Sequence, residues 1–166
     1  MTVTTRRANR SAGRSAGGSS RAAAHEGVSQ AVRYVESSAL LAALLEHDKA
    51  ARAQLRASGR RVTSALTFAE SARALVRARV AGRITPAQER AARRALQIFE
   101  RRCAVIPVTD VVLARVGRPF PVEPIRTLDA MHLATAELLG TPQRVTIITR
   151  DARVAENARA LGYMLA

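Results

Sequence analysis

Four acidic residues of this chain follow or flank its apolar segments, at positions where a parallel sheet would bring them together. Glu36 follows a short apolar segment, and Asp151 lies two residues beyond another segment that closes at Thr149. Asp129 lies near the start of a predicted helix, and Glu70 lies within one. Because ligands of an open parallel sheet bind at the carboxyl ends of its strands, we expect these four side chains to meet at that edge.

Carboxylates gathered in this way predict a divalent metal site. They would repel one another without a cation among them, and Mg²⁺ and Mn²⁺ prefer such oxygen ligands. In phosphodiester hydrolysis these ions activate a water and stabilise the attacking and leaving oxygens, and paired ions stand about 3.5–4 Å apart. A basic surface around the acids would hold a phosphate backbone. The catalytic and metal-binding candidates are therefore Glu36, Glu70, Asp129 and Asp151.

Three of these acids also have an ordinary structural explanation, and spacing alone leaves both explanations open. Asp151 could cap the helix that follows it, and Asp129 could favour the positive end of another helix. Glu70 could pair with Arg73 or Arg77 along its own helix.

Glu36 and three polar neighbours of the acids also allow more than one role. Glu36 could be a surface charge on an edge strand. Ser38, two residues further on, could hydrogen-bond the Glu36 carboxylate or cap the next helix, and Thr149 is a similar candidate for orienting a ligand. His132 lies one helical turn after Asp129. We favour a structural role for His132, because Mg²⁺ prefers oxygen ligands.

Strand-like and helix-like segments alternate from residue 31 onward. Strands are predicted to end near Glu36 and to cover 61–63, 105–108, 144–149 and 163–165. Helices are predicted over 39–45, 49–57, 66–80, 85–102, 110–117, 127–139 and 151–161. The fourth helix begins with a capping box formed by Thr85, Pro86 and Gln88. Such alternation predicts an α/β fold with a central parallel sheet and helices on both faces.

Residues 1–30 differ in composition from the rest of the chain. They are rich in Ser, Gly, Ala, Thr and Arg, and their five arginines and one acid give a net charge of +4. Such a segment buries too little apolar surface to offset the entropy of ordering, so we expect a disordered basic extension. An RNA-binding arm is the functional alternative. Residues 31–166 are then expected to form a single domain.

The chain as a whole is strongly basic and contains one cysteine. Its net charge is +14, and Lys49 is the only lysine. This balance favours a polyanionic partner, either nucleic acid or an acidic protein. Cys103 cannot form an intrachain disulfide, which fits a reducing cytoplasm. No run of 18 apolar residues is present, so no membrane-spanning helix is expected.

Four segments resemble, in the same order, the motifs of the PIN-domain family. Residues 34–40 (YVESSAL) resemble its opening strand, turn and helix, and residues 63–70 (TSALTFAE) resemble the block that carries its second acid. Residues 126–134 (RTLDAMHLA) are close to the third block, and residues 145–151 (VTIITRD) resemble the last. The resemblance covers about residues 31–166 at ordinary spacings, and the chain is identified as a member of this family.

This resemblance implies a three-layer α/β/α fold, dependence on Mg²⁺ or Mn²⁺, and cleavage within single-stranded regions of RNA. It places Glu36, Glu70, Asp129 and Asp151 at the four acidic positions. PIN domains of this size are mostly the toxin halves of toxin–antitoxin pairs, the VapC-like ribonucleases. The resemblance therefore also implies a small antitoxin as partner and frequent formation of homodimers.

Glu36 is the position where the chain departs from the family pattern, which has aspartate as its first acid. Glutamate keeps the charge but adds a methylene, and Mg²⁺ demands near-octahedral geometry at about 2.0–2.1 Å. The alternative to an active toxin is therefore a catalytically weakened or silent PIN module that binds RNA or a partner protein. The remaining alternative is a basic binding protein whose acids merely cap helices.

Overall fold

The computed structural model describes residues 31–166, which form an α/β fold around a five-stranded sheet. The disordered extension expected for residues 1–30 lies outside the described residues and stays a prediction. The strands are β1 (Val32–Val35), β2 (Arg60–Ser64), β3 (Ala104–Ile106), β4 (Val145–Ile148) and β5 (Met164–Leu165). The helices are α1 (Ser37–Leu45), α2 (Lys49–Arg56), α3 (Ala65–Val80), α4 (Pro86–Glu100), α5 (Asp110–Val116), α6 (Thr127–Glu137) and α7 (Ala152–Ala160).

All neighbouring strands of the sheet are parallel, in the order β3-β2-β1-β4-β5. Strand β1 is central, and its last residue, Val35, is in register with Ile148 at the end of β4. The backbone N–H of Glu36 continues this ladder by donating to the Ile148 carbonyl at 3.0 Å. The residues that follow β1 and β4 therefore emerge side by side at the carboxyl edge of the sheet.

Helices pack on both faces of the sheet, which gives the three-layer α/β/α arrangement that the resemblance implies. On one face, Tyr34 and Ile147 join a buried cluster that includes residues of α5, α6 and α7. On the other face, Val35 and Ile148 pack with residues of α1, α3 and α4, namely Ala39, Leu40, Phe68 and Leu96. Adjacent residues of one strand thus supply opposite cores, as the alternation of side chains along a strand requires.

The predicted elements are confirmed in type and order, and they differ from the structure at their ends. The predicted strand 105–108 stops at Ile106, because Pro107 has no N–H with which to continue the ladder. Helix α1 begins at Ser37 rather than residue 39, because Glu36 already serves as its N-cap. The capping box of α4 is present, with Thr85 and Gln88 bonding each other's backbone N–H groups.

Among residues 31–166, no helix combines the length and the apolar composition that crossing a membrane requires. The cytoplasmic location stays a prediction.

Candidate active site

Glu36 lies directly after β1 and turns its carboxylate back onto the first turn of α1. The carboxylate accepts hydrogen bonds from the Ser37 hydroxyl at 2.6 Å and from the Ser38 N–H at 3.0 and 3.1 Å. The hydroxyls of Ser38 and Thr149 also donate to it, the latter at 2.8 Å. Glu36 is 3 % exposed and follows the central strand, so the edge-strand surface charge considered above is wrong.

Ser38 and Thr149 connect the end of β1 to the turn that follows β4. The Ser38 hydroxyl accepts from the backbone N–H groups of Arg150 and Asp151 at 2.7 and 3.1 Å. The Thr149 hydroxyl accepts from the Asp151 N–H at 3.0 Å. Both hydroxyls therefore link the Glu36 carboxylate to the turn that carries Asp151, in the manner expected of residues that orient ligands.

Asp151 is the N-cap of α7 and also faces the other acids. Its Oδ1 accepts from the N–H groups of Arg153 and Val154 at 2.8 and 3.2 Å, so the capping explanation is correct for this oxygen. Capping engages one oxygen only, and Asp151 still lines the same cavity as Glu36. The structural and functional explanations of Asp151 are thus compatible.

Asp129 lies in the first turn of α6, where the helix dipole favours a negative charge. Its Oδ2 is buried and has no hydrogen-bond partner among the described residues. Burial, followed by the carboxylates of Asp151 and Glu36, raises the pKa of Asp129, while Arg126 and His132 oppose the shift. The charged form of Asp129 is therefore disfavoured by its burial and by two nearby carboxylates. A bound cation would offset both effects.

Glu70, in the second turn of α3, contacts His132 of α6 rather than an arginine of its own helix. The Nε2 atom of His132 lies 2.6 Å from Glu70 Oε2 and 3.7 Å from Glu36 Oε1. Within the described part of the chain, Glu70 forms no ion pair with Arg73 or Arg77, so that explanation is wrong. The second acid is held instead by a contact that joins two helices.

Tyr34 supports His132 from the strand below. Its hydroxyl lies 2.9 Å from Nδ1 of His132, and both side chains are fully buried. Burial and the Glu36 carboxylate raise the pKa of Tyr34 well above its usual range, which keeps the hydroxyl protonated. A Tyr34 hydroxyl that donates to Nδ1 leaves the ring proton on Nε2, where it can be donated to Glu70.

All four candidate acids line one cavity of about 440 Å³ at the carboxyl edge of the sheet. Ligand atoms of Glu36, Glu70 and His132 lie within 4.8 Å of one another. Asp129 and Asp151 are outside this tight group but share the cavity, and the carboxylates of Asp151 and Glu36 both contribute to the raised pKa of Asp129. The arrangement therefore offers carboxylate oxygens on several sides of one space, with one imidazole nitrogen beside them.

These residues fit a hard divalent cation. The buried Asp129 oxygen without a partner is the kind of atom that a cation would satisfy, because a buried polar group otherwise loses hydration without compensation. The donor set consists of carboxylate oxygens, which suit Mg²⁺ and Mn²⁺.

His132, Tyr34 and three arginines are the site residues that the sequence interpretation missed or undervalued. His132 was predicted to be structural and is indeed in the core, yet it touches the predicted ligand Glu70. Its spacing one turn after Asp129 could have indicated this, and Tyr34 lies two residues before Glu36, on the same side of β1. The arginines that line the cavity, Arg73, Arg77 and Arg126, gave no signal that separated them from other arginines.

Comparisons with known proteins point to one family. The model of the PIN domain family matches residues 33–160. Ribonuclease VapC46 of Mycobacterium tuberculosis is 38% identical to this chain over 131 residues, which are 78% of this chain and 92% of that protein.

Two solved structures share the fold. VapBC2 from Rickettsia felis, bound to a DNA fragment from its promoter, matches with a TM-score of 0.57 and 14% identity over 81% of this chain and 97% of that chain. VapBC-1 from nontypeable Haemophilus influenzae matches with a TM-score of 0.52 and 16% identity, over 81% and 96% of the respective chains.

Proposed function

This chain belongs to the PIN domain family, and we propose that it is a metal-dependent endoribonuclease acting as the toxin of a toxin–antitoxin pair. Its likeness to Ribonuclease VapC46 supports cleavage of RNA. The observation that carries the proposal is the cavity in which Glu36, Glu70, Asp129 and Asp151 meet, with an unpartnered, buried Asp129 oxygen beside two other carboxylates. The four carboxylates would repel the phosphates of RNA unless a cation is bound among them.

In this mechanism the four acids would hold Mg²⁺ or Mn²⁺. When bound, such an ion activates the attacking water and stabilises charge on the phosphate oxygens. The chain's own residues position the ligands. His132 donates to Glu70, and Ser38 and Thr149 donate to Glu36, so that these two carboxylates have a defined orientation.

The test is RNA cleavage with Mn²⁺ or Mg²⁺, with EDTA, and after Asp129→Asn or Asp151→Asn. We expect cleavage to stop in EDTA and to fall by at least about a hundredfold in each variant, because each variant lacks a charged ligand. Asparagine remains a good N-cap, so Asp151→Asn should keep α7 intact. Undiminished cleavage in excess EDTA would rule out the mechanism.

The free energy of unfolding of the same variants distinguishes an acid that binds metal from one that only stabilises the start of a helix. Without metal, Asp129→Asn should leave the free energy of unfolding unchanged or raise it by no more than about 1 kcal/mol, since repulsion between carboxylates is relieved. Clear destabilisation of Asp129→Asn would instead favour the protein whose acids merely support helices, because asparagine lacks the charge that the start of α6 favours.

We infer that a small antitoxin, and not only RNA, is a partner of this chain. An unregulated ribonuclease would harm its host, and the family resemblance and the fold shared with VapBC2 and VapBC-1 support such a partner. An antitoxin arginine offered to the acidic cavity could pair with the carboxylates in place of a cation. Purification from the native host without any small partner would contradict this inference. A homodimer and a cytoplasmic location remain part of the proposal.

A second candidate function, a weakened or silent PIN module, is favoured by the state of the Glu36 carboxylate. Three hydroxyls and a backbone N–H already donate to its two oxygens, so a cation would have to compete with these contacts. In that case the protein would bind RNA or a partner without cutting RNA. Binding of labelled RNA with no cleavage in Mn²⁺ would identify it.

A further inference from the structure

The cavity that holds the acids also has basic walls. Arg73 and Arg77 of α3, and Arg126 just before α6, line the same space of about 440 Å³. All three arginine side chains are exposed to solvent. The cavity thus places negative charge at the end of the sheet and positive charge along the helices that border it.

These arginines have no acidic partner among the described residues. The ion pairs of residues 31–166 that involve arginine join Arg93 to Glu89, Arg115 to Glu137 and Arg150 to Asp48. Glu70, the acid that helical spacing would offer to Arg73 or Arg77, contacts His132 instead. The guanidinium groups at the cavity are therefore available for an anionic ligand.

Two of the three arginines of α3, Arg73 and Arg77, lie in a row that starts at the acid Glu70. Glu70, Arg73 and Arg77 lie at spacings of three and four residues, which places them on one stripe of the helix. With a rise of 1.5 Å per residue, Arg73 and Arg77 lie roughly 4.5 and 10.5 Å along the axis from Glu70. Arg126 lies three residues before Asp129, and its charge opposes the raised pKa of that acid.

We propose that Arg73, Arg77 and Arg126 bind the phosphates next to the bond that is cut, so that the RNA strand leaves the acids along α3. This inference rests on the proposed nuclease function. A phosphodiester must approach carboxylates that repel it, and guanidinium groups can bind the flanking phosphates through paired hydrogen bonds. The RNA substrate therefore has to extend beyond the cleaved phosphodiester on the side that faces α3.

The first experiment measures binding of labelled, random-sequence single-stranded RNA in EDTA, where no cleavage intervenes. Arg73→Gln, Arg77→Gln and Arg126→Gln should each make the plot of log affinity against log salt less steep, by about 0.7 to 1 per lost phosphate contact. Arg79→Gln is the matched control, because Arg79 lies in the same last turn of α3 as Arg77 but does not line the cavity. It should leave the slope unchanged.

The second experiment locates the contact within the substrate. Single phosphates beside the cleavage site are replaced by neutral methylphosphonates, and kcat/KM is measured with the parent and with Arg77→Gln. One position on the α3 side should impair the parent but not the variant, since the two changes remove the same contact and are not additive. Fully additive effects at every position would overturn the proposal.

The two proposals can fail separately. If the parent binds RNA with the expected dependence on the arginines but never cuts it in Mn²⁺, the proposed nuclease function is wrong. The proposal that Arg73, Arg77 and Arg126 bind phosphates is then still supported. If RNA is cut, but KM and the slope of log affinity against log salt are unchanged in all three arginine variants, the proposed phosphate contacts are wrong. Equal effects of Arg79→Gln would also overturn them, because the net charge of +14 would then explain the binding.

Discussion

Glu36 and Asp129 represent two opposite states of a carboxylate in the same cavity. The oxygens of Glu36 are engaged by the hydroxyls of Ser37, Ser38 and Thr149 and by a backbone N–H. One buried oxygen of Asp129 has no such donor within residues 31–166. A cation would therefore gain most from Asp129, and would have to displace existing contacts to gain a ligand from Glu36.

This contrast predicts the effect of Glu36→Asp. An aspartate can still accept from the Ser38 N–H as an N-cap, but its shorter arm cannot satisfy all three hydroxyls, which leaves an oxygen for the metal. We expect tighter Mn²⁺ binding by calorimetry, by up to about tenfold, and faster RNA cleavage.

Glu36→Gln is the control for this substitution, because it keeps the length and removes the charge; it should bind Mn²⁺ more weakly than the parent. Slower cleavage by Glu36→Asp would mean that the longer side chain is the fitted ligand. If both the parent and Glu36→Asp fail to cut RNA while Glu36→Asp binds Mn²⁺ well, the silent module is the better description.

At the scale of elements, the site is a junction of strand ends and helix starts. Helices α1, α6 and α7 all begin at this edge, and α3 begins directly after β2. The turn that leads from β4 into α7 supplies two backbone N–H groups, those of Arg150 and Asp151, which donate to the Ser38 hydroxyl. The side chain of one residue in α1 therefore sets the position of the turn between β4 and α7.

Ser38→Ala tests this junction. Removing the hydroxyl takes an acceptor from the N–H groups of Arg150 and Asp151, which should lower the free energy of unfolding by about 1–2 kcal/mol. Because the Asp151 turn and Glu36 both lose a contact, Mn²⁺ affinity should fall roughly tenfold or more.

Thr85→Ala is the matched control for this element. It removes the N-cap of α4, which costs about 1 kcal/mol, at a residue that does not line the cavity. Chemical unfolding and Mn²⁺ titration of both variants make the comparison. An equal loss of metal affinity in Thr85→Ala would show that reduced stability, and not the Ser38 contacts, explains the result.

At the scale of the whole molecule, we predict that the PIN domain folds and functions without the basic N-terminal segment. The match to the PIN domain begins at residue 33, and the buried clusters are formed by residues of the described part, 31–166. Removing residues 1–29 should therefore leave the melting temperature and metal-dependent cleavage unchanged, because the composition of this segment predicts that it adds little apolar surface to a core.

The same truncation decides between the two explanations of the N-terminal charge. Residues 1–30 carry Arg6, Arg7, Arg10, Arg14 and Arg21. A large rise in KM for RNA, together with a weaker dependence of binding on salt, would show that these arginines act as an RNA-binding arm. Kinetics of both proteins at low and high salt provide the measurement.

The sequence by itself determined the order of the elements and the edge at which the acids lie. Strand and helix periods, the capping box at Thr85 and the proline at 107 are local signals, and they act within a few residues. Glu36 and Asp151 follow the ends of apolar segments, so a parallel sheet necessarily places them at its carboxyl edge. These predictions needed no knowledge of which residues touch.

Only the tertiary structure decided the contacts within that edge. Glu70 and His132 are 62 residues apart, and Glu36 and Thr149 are 113 residues apart. Whether such side chains meet depends on how α3 and α6 pack against the sheet and on which rotamers that packing allows. For this reason the sequence left open whether Glu70 is a metal ligand or pairs with an arginine of its own helix. In the folded chain Glu70 contacts His132, and Arg73 and Arg77 line the cavity.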